Sequence, residues 1–225
     1  MLPSEFRVFK KKHLYKNKKP YGIPQGSGMS AVCSNVHLIH FDQEIKGWAL
    51  NHKAIYRRYC DDLILVIPVD NVSQELLANI KDDVIQRILS YQPLGLEIQE
   101  EKTEIRIYRN DTIFDENMHK NKLDYLGFVF DGQTIRLREK SLFKYYSRAY
   151  RKAKTSRKIS YVTNRKGPRK KLYKIYTHLG HHYKMRGNFI TYSFRAHKKM
   201  SNLNGKSLIK KQVKRHWNRI HRRLE

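Results

Sequence analysis

Apolar positions change period several times along the chain, and each change marks an element. From Met29 to about Leu50 they recur at helical spacing, with Val32, Val36, Ile39 and Ile45 on one side. Ala54–Tyr59 then reads as an aromatic, β-prone strand, and Leu63–Ile67 as a buried strand closed by Pro68. The short segment between these runs makes them a β-hairpin. Helical spacing returns over residues 73–92 through Leu76, Leu77, Ile80, Val84, Ile88 and Leu89, and Pro93 and Gly95 end it. Residues 96–98 and 103–108 are strand-like, and 110–122 reads as a polar loop. Residues 123–130 and 134–137 predict a second hairpin that turns at Asp131-Gly132. Upstream, residues 6–20 are basic and irregular. This order predicts an α+β fold, an antiparallel sheet with helices on one face.

Beyond Arg138 the pattern becomes helical and strongly basic. Residues 141–158, 169–179 and 206–224 predict helices, joined by turns at Gly167-Pro168 and Gly180–Asn188. Charge sharpens that boundary. The chain carries 47 Lys+Arg and 20 Asp+Glu, a net charge of +27. Residues 1–132 hold 18 basic and 18 acidic side chains, whereas 133–225 hold 29 basic residues and only Glu139 and Glu225 as acids. The whole excess therefore lies in residues 133–225, which read as a helical region that binds nucleic-acid phosphates. On charge alone, a membrane surface or an acidic protein is the alternative partner.

Cys33 and Cys60 are the only cysteines, which excludes a disulfide framework and points to a reduced, cytoplasmic setting. No apolar run approaches the roughly 18 residues of a membrane span. The N-terminus lacks the charged-then-apolar layout of a signal peptide.

Candidate chemistry lies at two places. Tyr59-Cys60-Asp61-Asp62 sets two carboxylates at the turn between apolar strands. Such a tip suits a pair of divalent metals, which in polymerases and nucleases sit about 3.5–4 Å apart and drive attack on phosphorus. An ordinary acidic hairpin turn is the alternative. Asp82-Asp83 is the contrast, since it lies in an amphipathic helical run and reads as a solvated face. The second place is Gly22–Ser30, where glycines at 22, 26 and 28 let the backbone approach a ligand. Gln25 offers an amide that both donates and accepts, and Ser27 or Ser30 can cap the following helix. His178, His181 and His182 read as a basic, RNA-facing turn rather than metal ligands. Tyr145, Tyr146, Tyr150, Tyr161, Tyr173 and Tyr176 interleave with basic residues, as base-stacking platforms do, with helix-core packing the reading for about half of them.

Together these segments resemble reverse transcriptases. Gly22-Ile23-Pro24-Gln25-Gly26-Ser27 is similar to that family's fourth conserved block, and Tyr59-Cys60-Asp61-Asp62 to its fifth. Glu101-Lys102-Thr103 resembles the lysine-bearing sixth block, and Leu126-Gly127-Phe128 the primer-grip hairpin of the seventh. The spelling looks most like bacterial lineages, namely group II intron, retron, and abortive-infection or phage-defence enzymes, with the defence-associated type nearest. The resemblance implies a partial right-hand palm over 1–132 followed by a basic α-helical thumb over 133–225. It implies Asp61 and Asp62 as catalytic metal ligands for two Mg²⁺ ions, with Mn²⁺ an alternative, and Lys102 beside the departing pyrophosphate. Gln25, Gly26 and Ser27 would shape the nucleotide and template pocket, and Leu126, Gly127 and Phe128 would hold the primer end. Arg148, Arg151, Lys152, Lys170, Lys171, Lys214 and Arg215 would grip an RNA–DNA or DNA duplex. The implied substrates are an RNA template and deoxynucleotides.

Two departures stand out. Position 28 is Gly where most relatives carry Pro. The strand-ending aspartate of the third block has no counterpart, because Glu5 is the only acid before Asp42. Two metals on one aspartate pair are under-liganded. The expectation is an RNA-directed DNA polymerase subunit or fragment, inactive alone, whose fingers and third aspartate come from a second chain or from a reading frame longer than this one. A non-catalytic RNA-binding scaffold with the same fold is the alternative.

Overall fold

Residues 6–13 of the basic N-terminal stretch are helical where the pattern predicts irregular chain, and 14–20 lie outside the described residues. In the computed structural model, which describes residues 2–13, 28–96, 98–203 and 205–225, helix α1 spans Pro3–His13. Glu5 lies in its first turn and accepts a hydrogen bond from the Leu2 backbone N–H at 2.7 Å, as suits the positive end of a helix. The chain divides into two compact units, Met1–Ile98 and Gln99–Glu225.

In the first unit, the predicted helix between Met29 and Leu50 is two helices, α2 (Gly28–His37) and α3 (Ile39–Asn51). Of the predicted face only Ile45 is buried. Val32, Val36 and Ile39 are exposed, while Leu38, Phe41, Ile45, Trp48 and Ala49 are buried. Strands β1 (Ile55–Tyr59) and β2 (Asp62–Val66) form an antiparallel hairpin. Its Tyr56, Leu63 and Leu65 pack on Leu38, Phe41 and Ile45 of the α2–α3 segment. Strand β2 is half-buried rather than buried, because the opposite face, with Ile55 and Val66, is exposed.

Helix α4 (Gln74–Leu89) follows the predicted spacing. Ser73 caps it by accepting from the Leu76 N–H, and Leu77 and Ile85 are buried. Asp83 departs from the solvated-face reading: it accepts from the Trp48 indole N–H at 2.6 Å and pairs with Arg87 at 3.1 Å. Residues 96 and 98 are not in a strand.

The second unit contains two more sheets instead of one continuous antiparallel sheet. The predicted polar loop 110–122 holds much of the first, in which β3 (Ile107–Arg109), β4 (Thr112–Phe114) and β5 (Lys120–Asn121) run in order. Asn110 and Asp111 make its first turn with φ of 48° and 56°, the pair of positive values that a tight type I′ hairpin requires. The second sheet orders β6 (Leu123–Tyr125), β7 (Phe128–Phe130), β8 (Thr134–Leu137) and β9 (Lys206–Ser207), and the β8–β9 pair is parallel. Gly132, at φ 104°, lies so near the Asp111 carbonyl that a Cβ there would collide with it.

Helix α5 (Glu139–Thr163) is followed by α6 (Lys170–Tyr176), α7 (Phe189–Met200), α8 (Ile209–Val213) and α9 (His216–His221). Helix α7 stands where no helix is predicted. Asn188 and Thr191 form its capping box. The predicted helix over 206–224 is instead a short strand and two short helices. Ile135 and Leu137 of β8 join Tyr145, Tyr146, Ile190, Ile209 and Val213 in one core. The compact units divide at 98/99, while charge divides the chain at 132/133: charge marks a surface, whereas packing ties β6–β8 to the basic helices.

His216 is buried near that core. Its Nδ1 lies 2.8 Å from the Val213 carbonyl, which can only accept, so the ring proton sits on Nδ1. Nε2 then accepts the His178 backbone N–H at 3.3 Å. Burial lowers the His216 pKa from 6.5, and the nearby His178 ring adds to the shift. A depressed histidine pKa contributes stability that is complete above about 6.5 and lost as pH falls through the folded-state value. Thermal unfolding of the full chain should therefore occur at lower temperature at pH 5.5 than at pH 7.5, and His216→Gln should reduce that difference. An undiminished difference in the variant would exclude His216 as a source.

Candidate active site

The carboxylate pair sits at the tip of the β1–β2 hairpin. Tyr59 pairs with Asp62, so Cys60 and Asp61 alone form the loop. Cys60 supplies the positive φ of this tight turn, at 55°, a region unfavourable for a residue with a side chain. Asp61 and Asp62 are both exposed, and among the described residues neither carboxylate has a hydrogen-bond or ion-pair partner. Solvent, not burial, surrounds them. Their hard oxygens suit Mg²⁺ or Mn²⁺. Among the described residues no group of three or more His, Cys, Asp or Glu is placed to hold a metal, so the pair fits only part of a two-metal site.

One residue ties this tip to the helix beneath it. Arg58 donates through Nε to Asp42 Oδ1 at 2.7 Å and through Nη2 to Oδ2 at 2.6 Å, the two-pronged geometry natural to a guanidinium. Its Nη1 reaches the Cys60 carbonyl at 2.8 Å, and Tyr56 donates to Asp42 Oδ1 at 2.6 Å. The hydrogen bonds from Arg58 hold the Asp42 pKa below its ordinary value, against a smaller effect of burial. Burial, followed by the bond to Asp42, raises that of Tyr56. Sequence reasoning missed this network. Its signal is a charged residue at an inward position: Arg58 lies on the same hairpin face as Tyr56, Leu63 and Leu65, where only a paired charge is tolerated.

The remaining candidates stand on other elements. Gln25, Gly26 and Ser27 lie outside the described residues. Lys102 belongs to the other compact unit, ends a 3₁₀ turn over Glu100–Lys102 and donates to the Gln99 side chain. Leu126 and Gly127 form the two-residue turn between β6 and β7, with φ of 48° and 84°. Residues 123–130 are thus a hairpin in themselves, not a single strand. Arg138 steadies it: its N–H donates to the Gly127 carbonyl at 2.9 Å, and its guanidinium grips Asp124 at 2.6–2.7 Å. Phe128 packs against the core formed by Ile135 and Leu137, whereas Leu126 stays exposed at the tip.

Arg148, Arg151 and Lys152 come together with Thr155 and Tyr176 around an open depression. Lys170 and Lys171 open α6, and Lys214 and Arg215 lie at the α8–α9 junction, all four exposed. Of the tyrosines, Tyr145 and Tyr146 are core residues and Tyr161 is 90% exposed. His178 meets His216 edge to face, with ring centres 5.4 Å apart, and among the described residues no group of three or more possible ligands forms there.

Residues 1–130 match the family described as reverse transcriptase (RNA-dependent DNA polymerase). The chain belongs to this family. The match covers more than half of the protein and includes the Asp61–Asp62 hairpin and the Leu126–Gly127 turn. No curated protein matches the chain. Reverse transcriptase domains act on a nucleic-acid template with nucleotide substrates and use divalent metals. No helix among the described residues of this reverse transcriptase is long and apolar enough to cross a membrane.

Replacing Arg148, Arg151 and Lys152 together by alanine should weaken binding to an RNA–DNA duplex. The slope of log affinity against log salt should become shallower by about 0.7–0.9 for each phosphate that the variant no longer neutralises. Fluorescence anisotropy across a salt series measures both quantities. An unchanged slope would mean that this depression does not face phosphates.

Proposed function

We propose that this chain is the palm-and-thumb portion of an RNA-directed DNA polymerase, with palm elements in residues 1–132 and a duplex-gripping thumb in 133–225. The observation that carries the proposal is the Asp61–Asp62 tip, two exposed carboxylates without a partner among the described residues, on a braced hairpin inside a reverse transcriptase match. In this reading Asp61 and Asp62 hold the divalent metals with a further carboxylate that the described residues do not supply. Asp61 and Asp62, completed by that carboxylate, would hold two Mg²⁺ ions, which would supply activation of a primer 3′-hydroxyl and positive charge for the departing pyrophosphate. The protein's share is orientation and charge. Leu126, Gly127 and Phe128 hold the primer end, Gln25, Gly26 and Ser27 border the incoming nucleotide, and Lys102 neutralises the leaving group.

The further carboxylate comes from a separate chain or from sequence outside these 225 residues. The shortage of ligands also favours a second reading, a non-catalytic RNA-binding scaffold with a reverse transcriptase fold.

Primer extension on an RNA template with deoxynucleotides and Mg²⁺ separates the two. The chain alone should be inactive, and addition of a polypeptide carrying fingers and a strand-ending aspartate should restore synthesis. Robust extension by the lone chain would refute the divided site, and inactivity in every pairing would favour the scaffold. In the active assembly, Asp61→Asn should lower the rate at least about 100-fold, roughly 2.7 kcal/mol of transition-state stabilisation, with duplex affinity unchanged. Near-normal synthesis by that variant would make the hairpin purely structural.

A further inference from the structure

Arg58 is placed to do more than stabilise the fold. Its side chain is only 9% exposed, and its three nitrogens reach acceptors on separate parts of the first unit. Asp42 belongs to α3, the Cys60 carbonyl to the hairpin loop, and Asn35 Oδ1, at 3.3 Å, to α2. The Cys60 carbonyl is the decisive partner, because it belongs to the peptide that leads into Asp61. A peptide group is planar, so fixing that oxygen fixes the plane from which the Asp61 backbone departs. The same bond also holds Cys60 in its unfavourable left-handed conformation. Asp42, in turn, is held by Tyr56 as well as by Arg58.

We infer that Arg58, locked by Asp42, is a positioning residue that sets the direction of the Asp61 and Asp62 carboxylates toward a divalent cation. This rests on the reading of those carboxylates as metal ligands. A lysine cannot replace Arg58, since a single ammonium cannot span both Asp42 oxygens and the Cys60 carbonyl in one plane. Loss of such an orienting partner typically weakens metal binding about 10–100-fold.

The test uses the full chain labelled with ¹⁵N and titrated with Mn²⁺, read as paramagnetic broadening of the Asp61 and Asp62 amide signals. Arg58→Lys should need about tenfold more Mn²⁺ for the same broadening, while its amide spectrum away from the hairpin stays close to that of the parent; its melting temperature falls, because lysine loses the two-pronged grip on Asp42. Asp42→Asn, which keeps the volume and an acceptor, should shift the titration in the same direction and serves if Arg58→Lys does not fold. Asp61→Asn is the control and should lose the local broadening. A parent-like titration in a folded Arg58→Lys or Asp42→Asn, with broadening lost in Asp61→Asn, overturns the positioning role and leaves the metal reading intact. Two carboxylates without the further ligand still gather a Mn²⁺ ion weakly, so broadening retained in Asp61→Asn, or absent in the parent chain, overturns the metal reading and this inference with it.

Discussion

An isolated pair of β-strands is marginal in water, and the strands that present Asp61 and Asp62 are such a pair among the described residues. What supports them is the α2–α3 segment. Leu38, Phe41 and Ile45 cover the face bearing Tyr56, Leu63 and Leu65, and Arg58 bonds to Asp42 at the end of that seam nearest the loop. Apolar burial holds the strands down, and the charge-assisted bonds choose their register against the helix. Sliding β1 by one residue would put Ile55 where Tyr56 stands and take from Asp42 the phenol that donates to it. The exposed opposite face, with Ile55 and Val66, contributes nothing to this support.

The second unit meets a different constraint, a surplus of positive charge that must fold without bringing cations together in the interior. Its solution is a core of tyrosines and aliphatic residues with guanidinium groups laid over aromatic rings. Arg219 lies 5.0 Å from the centre of the Tyr146 ring and Arg223 4.8 Å from that of Tyr150. Ala149 and Ala153, both fully buried, give α5 a smooth strip where Leu172 of α6 and Ile220 of α9 pack. Small residues there leave the basic positions of α5 to line the other sides of the helix, as Arg148 and Arg151 do.

Where the sequence pattern is strong and local, it reads correctly. The hairpin around the aspartates and helix α4 follow from two β-prone runs broken by a short turn and from helical spacing. The failures have separate causes. Val32, Val36 and Ile39 are as apolar as the residues buried instead of them; what decides the face is the break at Leu38, which the spacing does not announce, and the pairing of Phe41 with Tyr91, which is far along the chain. Polarity hides the sheet within 110–122, although Asn110-Asp111 is a hairpin turn in its own right. Helix α7 escapes the pattern even though Asn188 and Thr191 spell its cap, because Gly187 and the basic residues around it resemble a loop. The site divides in the same way. The carboxylate pair is legible as a spelling, whereas the Arg58–Asp42 clasp joins residues 16 positions apart and exists only once the hairpin has folded back on its helix.

Gly132 carries one more consequence. The turn of the β7–β8 hairpin and the Asn110-Asp111 turn of the β3–β4 hairpin touch backbone to backbone, with no room for even a methyl group at position 132. Tyr108 and Phe130 stack behind them at 6.2 Å. Two short sheets that share no ladder are thus interlocked at their loops. Lengthening either loop would wedge the other aside, so these turns are bound to vary in length together or not at all. Loop tips are usually where chains accept insertions most freely; at this pair, the freedom is absent.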